Sequence, residues 1–169
     1  MSGDLSNLGS APTALDFSLG VNRVTGTMGG PPNSDPDIIS FTIQPGQFLT
    51  SIFLEPLAPA ERSFYAIAAG PTINLTDGTT HLGNYLTYQF GELIDELSLG
   101  GEFGGTGFTV PLGAGTYTAW IQEISTRTDY TLAYTVIPEP SAYPALVGTF
   151  ALAAALLLRR SRHRFQGCP

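Results

Sequence analysis

Four groups of side chains in this chain have types and spacing that could do chemistry. The first is Asn33, Asp35 and Asp37 in Asn33-Ser34-Asp35-Pro36-Asp37. Oxygen-bearing side chains at alternate positions of a loop suit Ca2+, a hard cation that takes carboxylate and carbonyl oxygens. The same residues are turn formers, and neither the glycine nor the closing glutamate of an EF-hand falls in place. A turn between two strands is therefore preferred to a Ca2+ site. The second group is Glu92, Asp95, Glu96 and Glu102. Glu92 or Asp95 acting with Glu102 would form the carboxylate pair of a glycoside hydrolase, but a solvated acidic loop explains the same residues more simply. The third is His81, the one histidine before the C-terminal segment. No serine sits in the G-x-S-x-G turn of a nucleophile elbow, and Gly100 to Gly107 lacks the lysine of a phosphate-binding loop. His81 is thus expected on a surface loop. The fourth is Trp120, which alternates with Tyr117, Ala119 and Ile121 and should face away from them. An outward tryptophan on a sandwich face would serve as a sugar- or protein-binding platform, unless a loop covers it.

These groups must be carried by strands. Twenty glycines and thirteen prolines punctuate short β-rich runs, a pattern that predicts an all-β sandwich. Strands are expected over residues 14–19, 21–28, 38–44, 48–55, 64–69, 84–90, 107–111, 115–123 and 129–136. The alternation is clearest at 115–123 and in Tyr130, Leu132, Tyr134 and Val136. Thr126-Arg127-Thr128 reads as a hairpin loop joining these last two strands. Only residues 92–97 suggest a helical turn, and the glycine-rich stretch 100–105 reads as a flexible loop. The Asn74-Leu75-Thr76 sequon is taken as accidental.

Composition narrows the function. Residues 1–137 carry three arginines against thirteen acids, there is no lysine, and the only cysteine is Cys168. A body charge of about −10 argues against nucleic-acid binding, which needs a basic footprint. The body has neither a disulfide nor a thiol nucleophile.

The C-terminal segment has a different logic. Pro138-Glu139-Pro140 is followed by an uncharged run from Ala142 to Leu158 and then by Arg159, Arg160, Arg162 and Arg164. Seventeen uncharged residues reach the lower end of the length that crosses a bilayer. Leucine and alanine favour helix there. The arginines should stay on the cytoplasmic side, which puts the body outside. The order of motif, apolar helix and basic cluster over residues 137–164 resembles the PEP-CTERM sorting signal of exported bacterial proteins. The resemblance implies recognition of Pro138, Glu139 and Pro140 by an exosortase, a membrane-embedded cysteine transpeptidase-like enzyme. It further implies cleavage near the motif and delivery to the cell surface or an exopolysaccharide matrix.

The body is similar to the bacterial pre-peptidase C-terminal domain, a jelly-roll-like sandwich. Asp37-Ile38-Ile39-Ser40-Phe41-Thr42-Ile43, Gly115-Thr116-Tyr117 and Tyr130-Thr131-Leu132 look like that family's D-x-F-x-F, G-x-Y and Y-x-L strands. That resemblance implies an accessory module without catalysis, with Phe41 and Tyr117 in its core.

Residues 1–7 show neither the basic start nor the apolar stretch of a secretory signal. Either the start lies upstream, the preferred reading, or export takes an unusual route. A cytoplasmic tail-anchored body would drag four arginines across the membrane, against the orientation bias.

The expectation is therefore an all-β, jelly-roll-like antiparallel sandwich over residues 1–136 and a sorting segment over 137–164. That segment holds one transmembrane helix at 142–158 and a basic cluster at 159–164, with a short tail at 165–169. Function is read as an exported, non-enzymatic surface or matrix protein, held in the inner membrane until an exosortase cuts it. A small carbohydrate-binding module of the biofilm matrix, using Trp120, and a secreted hydrolase are the alternatives.

Overall fold

The computed structural model describes residues 5–29, 35–55, 63–87, 90–123 and 128–140. Contacts divide the chain into two units, Met1–Pro138 and Glu139–Pro169. The first is a β-sandwich. Its strands are β1 (Thr13–Leu15), β2 (Gly20–Met28), β3 (Asp37–Ile43), β4 (Gln47–Leu54), β5 (Ser63–Ala69), β6 (Gly83–Thr87), β7 (Gly91–Glu92), β8 (Gly115–Glu123) and β9 (Thr128–Pro138). One sheet has the order β1-β3-β8-β5-β6 and the other β2-β9-β4-β7. All pairings are antiparallel except β1 with β3.

Alternation decides which side chains fill the space between the sheets. Ile39, Phe41 and Ile43 from β3, Tyr65 and Ile67 from β5, and Tyr117, Ala119 and Ile121 from β8 point inward. They meet Leu49, Ile52 and Leu54 of β4 and the buried row Tyr130, Leu132, Tyr134 and Val136 of β9. Period-2 patterning thus translates directly into burial, and Phe41 and Tyr117 are core residues, as expected. Phe41 stacks on Phe17 with ring centroids 4.5 Å apart and meets Tyr134 at 5.3 Å.

Two polar pairs cross this apolar interior. The Tyr65 and Tyr134 hydroxyls hydrogen-bond each other. The Tyr130 hydroxyl donates to Asp37 Oδ2 at 2.8 Å. Gly26 makes room for the second pair, because a Cβ there would lie 2.5 Å from Asp37 Oδ2. Burial pushes all three hydroxyls above the ordinary tyrosine range, and the Asp37 carboxylate pushes Tyr130 further.

A folded-state pKa raised above 10 gives stability that is complete below pH 10 and declines as pH climbs from there towards the folded value. Each of the three tyrosines should steepen the alkaline loss by up to about 1.4 kcal/mol per pH unit. In an absorbance titration at 295 nm followed alongside near-ultraviolet circular dichroism, Tyr65, Tyr130 and Tyr134 should ionise only together with unfolding. Ionisation of all seven tyrosines in one phase near pH 10, with the dichroism intact, would contradict this.

Several expectations need correction. The strand expected at 107–111 is absent: only Leu112 bridges, to Leu49. β1 stops at Leu15, and Leu19 is exposed. β8 and β9 are not a hairpin, because they lie in different sheets and share no ladder. β9 runs past residue 136, and Pro138 pairs with Gln47, so the sandwich takes in the first proline of the motif. The helical turn is present as α1 (Ile94–Ser98), with Ile94 and Leu97 buried. Among the described residues no helix is long and apolar enough to cross a membrane. The run 142–158 and the basic cluster Arg159, Arg160, Arg162 and Arg164 lie outside the described residues.

Candidate functional site

The outward side of the five-stranded sheet carries a second apolar cluster. Ile38, Ala66, Ala68 and Ile73 are buried there, with Phe64, Leu75 and Trp120 packed against them. Register explains the layout. Trp120 lies opposite Ile38 on one side and Ala66 on the other. Phe64 lies between Gln122 and Leu86. Two adjacent rows of side chains therefore floor a groove of about 410 Å³.

Two loops wall this floor. The first runs from Ile73 to His81. Asn74 Oδ1 accepts from the Thr76 N–H and hydroxyl, both at 2.9 Å, so the apparent sequon is a side-chain-stabilised turn. Asp77 Oδ1 accepts from the Thr79 N–H at 3.0 Å and hydroxyl at 2.6 Å. These bonds from Thr79 hold the Asp77 carboxyl below its ordinary range. A short 3-10 turn, Gly78–Thr80, follows. The second wall is the glycine-rich loop, with Phe103 at its tip.

Asn84, at the edge of the floor, ties the walls together. It is fully buried. Its amide donates to Gly78 O at 3.3 Å, and its Oδ1 accepts from the Phe103 N–H at 2.8 Å. Its backbone N–H donates to Gly100 O at 3.3 Å, and it forms a bridge with Gly101. Gly101 has φ +82°, and a Cβ there would come within 1.5 Å of Asn84 O. Only glycine fits such an approach. The glycine-rich stretch expected to be a flexible loop is packed against strand β6 through these contacts.

His81 is a correction. It is 1% exposed and not a surface residue. Its Nε2 lies 2.7 Å from Asn74 O, and a carbonyl only accepts, so Nε2 carries the proton. Its ring meets Trp120 edge-on at 6.2 Å, and its backbone carbonyl accepts from the Thr106 N–H at 3.0 Å. The histidine thus braces both loops.

Trp120 faces away from Tyr117, Ala119 and Ile121, as its position predicts, and it is half-buried in the groove floor. The first loop covers part of this face and leaves the rest open. Its Nε1–H donates to Gln122 Oε1 at 3.1 Å, which fixes the indole. Phe64 packs edge-on against both Trp120, at 4.7 Å, and Phe103, at 5.8 Å.

The other candidates are not brought together. Asp37 is buried against Tyr130, Asp35 bridges to Gly29, and Asn33 lies outside the described residues. Among the described residues no three His, Cys, Asp or Glu side chains cluster to hold a metal ion. Glu92 has a structural task. Its Oε1 accepts from the Ile52 N–H at 2.8 Å and the Ile94 N–H at 3.4 Å, and its Oε2 from the Ser51 hydroxyl at 2.6 Å. It therefore fastens the start of α1 to β4. Asp95 and Glu96 are exposed on α1, and Glu102 is exposed on the glycine-rich loop. Pro138, Glu139 and Pro140 are exposed at the end of β9.

No family model matches the chain, and no curated protein matches it. Among solved structures it is similar to the pre-peptidase C-terminal domain of collagenase from Bacillus anthracis, at 12% identity over 74% of this chain and 96% of that chain, with a TM-score of 0.42. It is also similar to Aeromonas hydrophila PliG, a periplasmic lysozyme inhibitor of g-type lysozyme, at 10% identity over 73% of this chain and 96% of that chain, with a TM-score of 0.42.

Proposed function

We propose that this is an exported, non-catalytic protein of the bacterial surface or matrix. Its jelly-roll-like body is of the pre-peptidase C-terminal type, and its C-terminal segment is a PEP-CTERM address read by an exosortase. The observation that carries the reading is the order of the last thirty residues: Pro138-Glu139-Pro140, an uncharged stretch to Leu158, then four arginines. The end of the sandwich supports it. β9 closes at Pro138, and Glu139 and Pro140 stand exposed, where a membrane-embedded enzyme can reach them. In this reading residues 142–158 form a single inner-membrane helix, Arg159, Arg160, Arg162 and Arg164 keep the terminus in the cytoplasm, and the body faces outward. The absence of catalysis agrees with the structural task of Glu92 and with the burial of His81.

The test expresses the full chain behind an added export leader, in an exosortase-bearing bacterium and in its exosortase-deleted derivative. Intact mass should show a released species ending near Pro138 in the first strain and a full-length membrane species in the second. Full-length protein confined to the membrane of both strains would make the segment a permanent anchor and overturn the exosortase assignment.

A further inference from the structure

We propose that the groove on the outer face of the five-stranded sheet binds a neutral glycan chain. The inference stands on the groove alone and would survive failure of the sorting assignment.

The groove is built before any ligand arrives. Asn84 clamps its two walls from beneath, His81 braces them, and Gln122 holds the indole of Trp120. A binding surface fixed in this way loses little entropy when occupied. Its volume of about 410 Å³ lies in the range of small-molecule sites. Phe64, Trp120 and Phe103 supply the apolar surface, and Phe103 is 51% exposed at the mouth. Thr76, Asp77 and Gln122 bring polar side chains to the same groove, those of Thr76 and Gln122 already bonded to Asn74 and Trp120. A pyranose ring has the matching chemistry. One face is a patch of C–H groups that packs on an aromatic ring, and its rim is a ring of hydroxyls.

Charge selects among glycans. Among the described residues no arginine lines the groove, and the body carries thirteen acids against three arginines. A uronate or sulfated polymer would be repelled. Asp77 is the one carboxylate among the described lining residues, and its Oδ1 accepts from the N–H and hydroxyl of Thr79; choline in the titration tests the cation alternative.

Trp120 is the only tryptophan, so its emission reports on the groove. The experiment uses the full-length protein in a polyoxyethylene detergent, since maltoside headgroups would present the chemistry under test. It is titrated with neutral hexasaccharides of β-1,4-glucose, β-1,4-N-acetylglucosamine, α-1,4-glucose and β-1,4-mannose, with hexagalacturonate and choline for comparison. At least one neutral oligosaccharide should shift the emission saturably, and hexagalacturonate should not. By calorimetry, Phe103→Ala should weaken that binding by about tenfold or more, and Trp120→Ala should do the same. Phe103→Ala removes an exposed ring, so its melting temperature should stay near that of the parent. Inert neutral oligosaccharides, a saturable response to choline alone, or unchanged affinity in Phe103→Ala would each overturn the proposal.

Discussion

Gly101→Ala should cost about 2–6 kcal/mol of stability, a large share of the roughly 5–15 kcal/mol typical of a domain. Two effects combine. A non-glycine residue at φ +82° carries about 1–2 kcal/mol of backbone strain. The new Cβ would also meet Asn84 O at 1.5 Å and Asn84 C at 2.6 Å. Backbone cannot swing aside as a long side chain does, so β6 and the glycine-rich loop must part. That separation leaves the buried amide groups of Asn84 without their partners, at about 1–3 kcal/mol for each unsatisfied group. Gly46→Ala is the matched control. It shares the positive φ, at +78°, but has nothing within 4 Å of the new Cβ, so it should show the strain alone. Urea denaturation of the two variants distinguishes the terms, and equal losses would mean that the close approach at Asn84 is not real. The same variant should dull the Trp120 emission response to any groove ligand, because the wall carrying Phe103 has moved.

Tyr134→Ala should be comparably damaging, at about 3–5 kcal/mol for the lost aromatic volume. It also leaves the Tyr65 hydroxyl buried with no partner. Tyr134 is fully buried and touches Phe17 at 4.9 Å and Phe41 at 5.3 Å, so little can collapse into the space. The hydroxyl component separates in a double-mutant cycle. Tyr134→Phe and Tyr65→Phe each strand one hydroxyl and should each cost about 1–3 kcal/mol. The double variant replaces both polar groups with apolar edges and should recover most of that loss. Simple additivity of the two single losses in urea denaturation would show that the hydroxyls do not depend on each other.

Much of the frame was legible in the sequence because each inward row is a local pattern. Gly115 to Glu123 reads as a strand from its alternation alone, and the structure places β8 over those residues. Tyr130, Leu132, Tyr134 and Val136 likewise announce β9. Local pattern misled where the partner was remote. Gly107 to Pro111 has the composition of a strand but forms no ladder: Gly107 and Phe108 donate to Leu82 O and Ser98 O, and the next residue, Leu112, makes a single bridge to Leu49. The short link after β8 looks like a hairpin, yet β8 is already flanked by β3 and β5, so β9 joins the other sheet. The groove was half legible. Alternation turns Trp120 outward, but nothing local says that residues 73–81 fold across part of that face. Asn84 was missed for the same reason. Its signal is a lone amide in the run Gly83-Asn84-Tyr85-Leu86-Thr87, because a buried amide must find partners. His81 was misplaced because its Gly-, Thr- and Asp-rich surroundings describe a loop and not what the loop covers.

The position of β9 between β2 and β4 also sets a schedule. Those two strands have no ladder with each other, and β9 alone joins β2 to β4. Met28 waits for Thr128, roughly a hundred residues later, which is on the order of ten seconds of synthesis. Until the final strand emerges, one layer lacks its middle, and the inner faces of β3, β5 and β8 have no complete surface to close upon. The body therefore cannot close before Pro138 has been added to the chain.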